Sequence, residues 1–197
     1  MDYVVLDLEW NQASDSHDAR SRLLTFEIIE IGAVKLNSRM EVTDTFHELI
    51  CPQVYEEMHA VTERLIGIHM EELRGKRSFT EVAGDFLKWC GTDFMFGTWG
   101  PQDLTELQRN MRFFGMEPLG TSPVRFYDIQ KLFSIAYEDQ KSRRSLEYAV
   151  DFLKIEKDGA FHRAISDAWY TARVLQLIKD PVALQRFSYD TFVLPKS

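Results

Sequence analysis

An acidic residue inside an apolar strand constrains the fold of this chain more than any other feature. Residues 3–8 read Y-V-V-L-D-L, a run of β-forming residues that predicts a buried strand. Asp7 interrupts the run, and a buried carboxylate without a partner is costly. Glu9 lies two residues further on, so both side chains project from the same face of the strand. The pair is either a solvated strand end or part of a cation site, because a divalent cation would relieve the repulsion between the carboxylates.

Strand and helix patterns continue along the chain in an order that indicates an α/β fold. Two further strands are predicted at residues 27–36 and 42–50, and with the first strand they would form an antiparallel meander. Short strands at residues 94–96 and 124–127 then alternate with helices. Helices are predicted after caps at Thr62, Ser78 and Asp128 and over residues 100–114, 145–153 and 163–178. These segments predict a mixed five-stranded sheet flanked by helices.

Length and charge limit the number of domains and the type of ligand. The chain has 197 residues, which fits a single domain over residues 1–197 with a full core. Its formal net charge is −8 and its pI is near 5.2. Proteins that neutralise many phosphates usually carry a basic face, so this charge argues against broad electrostatic coating of nucleic acid. It is compatible with a small site in which bound cations offset carboxylates.

The two cysteines and the first residues indicate a compartment. Cys51 and Cys90 show no zinc-ligand spacing, so we expect two free thiols in a reducing environment. Residues 1–10 carry three acids, whereas a signal peptide needs a basic start and an uncharged apolar run. No apolar stretch approaches the length of a membrane span. The sequence therefore predicts a cytoplasmic protein that does not enter a membrane.

Three further residues could join Asp7 and Glu9 in one site. Asp103 follows T-W-G-P-Q at a predicted junction between a strand and a helix, where the helix dipole alone would also favour an acid. His162 and Asp167 are five residues apart, which would separate them by roughly 140° on a regular helix. His162 must therefore lie in a loop before the helix if both face one site. Otherwise it is an ordinary exposed loop histidine.

Four carboxylates and one histidine indicate a particular chemistry. Hard carboxylate oxygens favour Mg²⁺ or Mn²⁺ over zinc. Two such ions a few ångströms apart can hold the attacking and the leaving oxygen during cleavage of a phosphodiester. A neutral histidine can accept a proton from the attacking water. The set of residues therefore predicts metal-dependent cleavage of nucleic acid.

The segments around these residues resemble the motifs of a known family. The first, which carries Asp7 and Glu9, is V-V-L-D-L-E-W-N-Q, and the strand after it is E-I-I-E-I-G-A-V-K-L. The second, which carries Asp103, is W-G-P-Q-D-L. The third is S-L-E-Y-A-V-D-F-L followed by H-R-A-I-S-D-A-W-Y-T-A-R, in which four residues separate His162 from Asp167. Together they resemble the DEDDh exonucleases of ribonuclease-H-like fold, in the subgroup of Eri-type exoribonucleases and bacterial sporulation-inhibitor nucleases.

The resemblance implies a function and assigns roles to the site residues. Asp7, Glu9, Asp103 and Asp167 would hold two Mg²⁺ or Mn²⁺ ions, and His162 would act as the general base. The enzyme would be a 3′→5′ exonuclease that releases nucleoside 5′-monophosphates. Its partner would be single-stranded nucleic acid with a free 3′ end, and the subgroup implies RNA.

Four residues are expected near the terminal nucleotide. By resemblance, Leu8 would offer its backbone to that nucleotide and Trp10 would flank the base. Ile66 and His69 stand in L-I-G-I-H, where the family usually has L-T-G-I-T. Hydroxyls that would lie near the terminal sugar are therefore replaced. This departure concerns the sugar contacts and leaves the expected metal site unchanged.

Two other functions remain open from the sequence. A DNA-trimming or proofreading-type nuclease would use the same fold, and groups that bind the 2′-hydroxyl would distinguish it from a ribonuclease. A regulatory binding protein could keep the fold and act on a protein partner by contact. The net charge favours this alternative, whereas the complete set of site residues argues against it.

The basic residues Lys141, Arg143 and Arg144 form either a phosphate track or a solvated loop.

Overall fold

One mixed sheet forms the centre of the molecule. The computed structural model describes residues 1–14, 19–119, 124–139, 141–178 and 190–192. The strands in these ranges are β1 (Asp2–Gln12), β2 (Phe26–Leu36), β3 (Val42–Leu49), β4 (Phe94–Thr98), β5 (Val124–Asp128) and β6 (Asp190–Phe192). They lie side by side in the order β3-β2-β1-β4-β5-β6.

The sheet combines an antiparallel and a parallel half. β1, β2 and β3 pair antiparallel in a meander, as predicted. β4 pairs in parallel with β1, and β5 pairs in parallel with β4. The mixed five-stranded sheet expected from the sequence is thus confirmed in β1 to β5. β6 adds a short sixth strand antiparallel to β5, which the sequence pattern did not indicate.

Helices cover both faces of the sheet. In the described part of the chain they are α1 (Ala60–Ile66), α2 (Met70–Leu73), α3 (Phe79–Cys90), α4 (Gln102–Phe113), α5 (Ile129–Tyr137), α6 (Leu146–Phe152) and α7 (Ala164–Ile178). A 3₁₀ turn spans Ala19–Arg22. Ser78 begins α3 in a capping box with Glu81, and the carboxylate of Asp128 caps α5 by accepting from the Lys131 N–H. Both caps confirm the sequence prediction, because they are local signals.

Two helix starts differ from the prediction. α1 begins at Ala60 after the N-cap residue His59, so the cap predicted at Thr62 is wrong, and Thr62 lies inside the helix. α2 was not predicted at all. Its N-cap is His69, which forms a capping box with Glu72. Histidine is not among the residues that usually cap helices, so this start carries little sequence signal.

β1 continues beyond the predicted strand because a buried polar residue is fully satisfied. Asn11 is completely buried, its amide donates to the Glu57 carbonyl at 2.9 Å, and its side-chain oxygen accepts from the His59 N–H at 2.9 Å. Hydrogen bonds of this kind remove the penalty for burying an amide. They also tether the segment that leads into α1 to the end of β1.

β1 divides its side chains between two cores. Leu6 and Leu8 pack in the core that α3 and α4 cover. Val5 packs in the core on the opposite face, which α5, α6 and α7 cover. Because side chains alternate along a strand, Asp7 and Glu9 share the face of Val5. The first acidic pair therefore points toward the layer that contains α7.

A glycine lets α7 begin directly against the sheet. Gly32 of β2 lies opposite Asp7 of β1. A Cβ atom at Gly32 would lie 2.2 Å from both the carbonyl carbon of Ala164 and the nitrogen of Ile165. Only glycine allows this approach of two backbones. It seats the first turn of α7 beside the acidic pair of β1.

The membrane and cysteine predictions can be compared with the helices and thiols of the structure. Of the helices that are described, none has the combination of length and hydropathy that crossing a bilayer requires. Cys51 and Cys90 are free thiols, as expected.

Replacing Gly32 with alanine should destabilise the fold and displace the start of α7. The added methyl would overlap backbone atoms that cannot rotate away, and overpacking of this kind costs about 1–3 kcal/mol. Urea unfolding at equilibrium measures the loss. Gly84→Ala is the matched control, because a Cβ there meets no atom within 4 Å and alanine favours the α3 helix. Equal stability of the two variants would contradict the seating of α7 on Gly32.

Candidate active site

One cavity of about 310 Å³ lies where β1 and β4 end and where α4 and α7 begin. It is lined by all five residues predicted to carry chemistry, namely Asp7, Glu9, Asp103, His162 and Asp167. It is also lined by three of the four residues expected near the terminal nucleotide, namely Leu8, Trp10 and Ile66. The fold thus brings together residues that are up to 160 positions apart in the chain (167 minus 7).

Asp103 connects the start of α4 to β1, the strand that carries Asp7 and Glu9. It is the second residue of the helix and is buried. Its Oδ1 accepts a hydrogen bond of 3.1 Å from the Leu8 N–H, the residue between Asp7 and Glu9. The second motif is thereby held against the first, and its carboxylate is fixed beside the acidic pair.

His162 lies in a loop immediately before α7, as predicted. It is exposed, has a positive φ of 62°, and precedes the first helical residue, Ala164, by two positions. Its backbone N–H donates to Asp167 Oδ2 at 3.1 Å. The left-handed conformation turns the chain so that His162 and Asp167 both line the cavity, which a continuous helix would not permit.

One carboxylate oxygen of Asp167 lacks a hydrogen-bond partner among the described residues. Its side chain is 9% exposed, and in the part of the chain that the structure describes Oδ1 has no hydrogen-bond partner. Glu9, His162 and Asp167 each place one ligand atom within 4.8 Å of the others. A buried carboxylate oxygen without a partner is unfavourable unless a cation or water completes it.

Burial raises the pKa of all four acidic side chains. The pKa of Asp7 is raised well above its ordinary range. The pKa of Glu9 is raised to about 8, that of Asp103 to about 7 and that of Asp167 to about 6. Burial is the largest cause in each case, and the charges of neighbouring acids oppose ionisation further. The cationic groups of the described residues therefore do not balance the charge that four ionised carboxylates would carry.

The donor set fits divalent cations. Four carboxylates supply hard oxygens, one of them has an oxygen without a partner, and all resist ionisation in the absence of a counter-charge. Mg²⁺ and Mn²⁺ prefer such oxygens, and His162 adds a nitrogen that Mn²⁺ also accepts. These residues can hold the ions that the sequence resemblance implies.

An ionic cluster that sequence reasoning missed lies beside the site. Glu30 of β2 is paired with Glu9 across the strands and is completely buried. Arg163 donates to it from Nε at 3.2 Å and from Nη2 at 3.0 Å, and His47 contacts it at 2.7 Å. Burial alone would raise the pKa of Glu30, but hydrogen bonds from His47 and Arg163 outweigh burial and lower it.

This cluster fixes the residue that follows His162. Because Arg163 is held by a buried carboxylate, the loop is anchored to β2 immediately before α7. The available sequence signal was the acid Glu30 inside the apolar strand pattern, the same kind of signal that Asp7 gave.

The walls of the cavity include residues that the sequence did not indicate. α1 contributes Thr62 and Leu65 beside Ile66, and Leu65 is 51% exposed. Trp99, Gln102 and Leu146 complete the lining. Their placement depends on how α1, α4 and α6 pack, which no local motif specifies.

His69 does not line the cavity. Its Nδ1 contacts Glu63 Oε1 at 2.5 Å, and its backbone N–H donates to Glu72 Oε1 at 2.9 Å at the start of α2. The imidazole is therefore engaged within the segment that joins α1 and α2.

The basic residues of the predicted phosphate track are partly neutralised. Arg143 donates to Asp128 Oδ2 at 2.7 Å, and Arg144 pairs with Glu138 at 3.2 Å. Lys141 is exposed, and its backbone N–H donates to Asp139. A track of free positive charge is therefore not present at these two arginines.

Comparison with known proteins identifies relatives in sequence. The RNase_T family model, described as Exonuclease, matches residues 4–175. Human 3′-5′ exoribonuclease 1 is 22% identical over 171 residues, which cover 81% of this chain and 48% of the relative. The PolC-type DNA polymerase III of Thermotoga petrophila is 33% identical over 175 residues, which cover 87% of this chain and 11% of the relative. The chain thus spans about half the length of the exoribonuclease relatives and a much smaller part of the polymerase.

Comparison with solved structures confirms the ribonuclease-H-like fold. The nuclease domain of 3′hExo, a DEDDh family member bound to rAMP, superposes with a TM-score of 0.76 at 18% identity. The match covers 100% of this chain and 97% of that domain. E. coli Exonuclease I in complex with a dA16 oligonucleotide gives a TM-score of 0.75 at 16% identity over 95% of this chain and 43% of that one.

The raised pKa of Glu9 predicts how the free energy of unfolding of the metal-free protein depends on pH. The pKa of Glu9 is about 8 in the folded protein against an ordinary 4.5, so the folded state keeps a proton that the unfolded state loses. The stability of the parent therefore falls as pH rises through this window. The glutamine of Glu9→Gln cannot ionise. As pH rises from about 5 to about 8, the stability of this variant relative to the parent should therefore increase by up to about 1.4 kcal/mol per pH unit.

Thermal unfolding in EDTA at about pH 5 and about pH 8 measures this difference. Glu117→Gln is the control, because Glu117 is exposed and distant in sequence from the site motifs. Its stability relative to the parent should not change with pH. If the stability of Glu9→Gln relative to the parent also stayed constant with pH, Glu9 would ionise in the folded protein without a cost in stability.

Proposed function

Because this chain belongs to the RNase_T exonuclease family, we propose that it is a metal-dependent 3′→5′ exonuclease acting on single-stranded nucleic acid. The product would be nucleoside 5′-monophosphates. The observation that carries the proposal is the convergence of four acids and His162 in one cavity. The described chain would act as a single exonuclease domain.

Four carboxylates would hold two Mg²⁺ or Mn²⁺ ions. They are Asp7, Glu9, Asp103 and Asp167, whose raised pKa values and unsatisfied oxygen support the assignment. Bound cations would neutralise the acids and the charge that develops on the cleaved phosphodiester. The backbone bond from Leu8 orients Asp103, and the N–H of His162 orients Asp167, so both carboxylates are positioned before substrate binds.

His162 would accept the proton of the attacking water. It lines the cavity, is exposed, and lies outside the helix, so its imidazole can rotate toward bound substrate. The anchor at Arg163 limits how far the loop can move. The alternative role is a metal ligand with Glu9 and Asp167, which the distances among the three also allow.

Three residues would contact the terminal nucleotide. Trp10 and Ile66 line the cavity and present mainly apolar surface to a base or sugar. Leu8, whose side chain packs in the core, would contribute its backbone. The ring of Trp10 is supported by Phe26 at a centroid distance of 5.4 Å. His69 has no part in this proposal, because its side chain pairs with Glu63 and does not line the cavity.

We propose RNA as the preferred substrate and the cytoplasm as the location. The exoribonuclease relatives and the Eri-type motifs support RNA. The free thiols Cys51 and Cys90 support a reducing compartment. DNA trimming is the second candidate, favoured by the 33% identity to the PolC-type DNA polymerase.

His162→Ala should lower kcat by about 10²–10⁴-fold, the usual contribution of a general base. Calorimetric titration with Mn²⁺ should give the parental affinity, because the four acids remain. Asp7→Asn should lose both activity and Mn²⁺ binding. His69→Ala is the matched control and should keep the parental kcat. A His162→Ala protein with parental kcat, or one that binds Mn²⁺ much more weakly, would contradict the role as a base.

A linear RNA should be degraded in the presence of Mn²⁺, whereas a circular RNA of the same sequence should persist. The site is proposed to accept a free 3′ end, which the circle lacks.

DNA of the same sequence should be a poorer substrate by about tenfold in kcat/KM, the scale of one contact to the 2′-hydroxyl. Cleavage of the circle would indicate an endonuclease, and faster loss of DNA would favour the trimming role. No nucleotide release with Mg²⁺ or Mn²⁺ would favour a binding protein.

A further inference from the structure

Three exposed aromatic side chains form a cluster on α5 and α6. Tyr137 is 39% exposed, Tyr148 is 37% exposed and Phe152 is 47% exposed. The ring of Phe152 stacks on Tyr148 at a centroid distance of 6.1 Å and contacts Tyr137 at 5.7 Å. Phe133 lies beneath them in the core. The cluster, here called the aromatic patch, presents flat apolar faces to solvent.

The ring of Tyr148 is held in a fixed orientation. Its hydroxyl donates to Glu138 Oε1 at 2.8 Å. The guanidinium of Arg144 lies 4.6 Å from the ring centroid and pairs with the same glutamate. A ring constrained in this way loses little conformational entropy when a ligand stacks on it.

The aromatic patch is continuous with the cavity. Trp99, which lines the cavity, donates from Nε1 to the Arg144 carbonyl at 3.0 Å. Leu146, the first residue of α6, also lines the cavity. Tyr148 lies about 200° around the helix from Leu146, so the link to the patch runs through Trp99. The ring of Trp99 lies 6.1 Å from that of Phe133, which contacts Tyr148 beneath the patch. A strand that leaves the cavity over Trp99 and Arg144 can therefore reach the ring of Tyr148.

The charges around the patch suit stacking better than phosphate binding. Arg143 and Arg144 are each paired with an acid, so they offer little unbalanced charge. Exposed aromatic rings bind bases without regard to sequence, since every base has a π-face. Arg144 can add a cation–π contribution.

We propose that the aromatic patch is a stacking platform for the nucleotides that precede the 3′-terminal one in a single strand. The inference rests on the proposed function, which places the 3′ end in the adjoining cavity. Continuity with that cavity favours a nucleic acid strand over a protein partner. The patch makes affinity depend on the length of the substrate.

Substrate length is the variable that tests the platform. A dinucleotide occupies the cavity alone, whereas a strand of about twelve nucleotides also reaches the patch. Tyr148→Leu keeps apolar volume and removes the π-face. It should raise KM for the long strand by about 5- to 150-fold, the value of one lost stacking contact, and leave KM for the dinucleotide unchanged. Tyr148→Phe retains the ring and should restore most of the affinity.

A binding measurement separates this inference from the proposed function. Fluorescence anisotropy with a long phosphorothioate strand that resists cleavage reports affinity even if no turnover occurs, and Tyr148→Leu should weaken it. Phe113→Leu is the control, because Phe113 is 38% exposed at the far end of α4. Equal affinity of parent and Tyr148→Leu for the long strand would overturn the platform. A parent that sediments as a dimer and a Tyr148→Leu protein that sediments as a monomer would also overturn it, since the patch would then join two copies.

Discussion

The crowding of four carboxylates around the end of β1 is the constraint on which the rest of the structure depends. Asp103 and Asp167 are buried, Asp7 and Glu9 are partly buried, and desolvation raises the pKa of all four. Such a group of residues is stable only if other parts of the chain hold it in place. The Leu8 N–H holds Asp103, the His162 N–H holds Asp167, and Gly32 admits the backbone of α7. The fold maintains an arrangement that would otherwise be driven apart by repulsion.

One cation of the protein reduces this repulsion without entering the cavity. Arg163 forms its ion pair with Glu30 and also partly opposes the rise in the pKa of Glu9. Because Glu30 neutralises most of its charge, Arg163 offsets the acids only in part. The remaining negative potential can attract divalent ions. The cluster thus serves as an anchor for the loop while it leaves the cavity negative.

The sequence predicted those parts of the fold and site that local patterns encode. The caps at Ser78 and Asp128, the antiparallel meander of β1 to β3 and the loop position of His162 all follow from patterns that are local in the sequence. Contacts between distant segments could not be predicted. Arg163 and Glu30 are 133 positions apart, and the approach of Gly32 to α7 spans a similar separation. The cavity walls from α1 and α6 depend on packing in the same way.

The backbone of His162 links the site to the overall stability of the protein. A residue with a side chain in the left-handed region costs about 1 kcal/mol or more relative to glycine, which adopts that region freely. Glycine at this position would therefore relieve strain and remove the imidazole in one step. A library of this gene screened for heat resistance alone would be expected to enrich that substitution. Under the proposed function, stability and chemistry would compete at this residue.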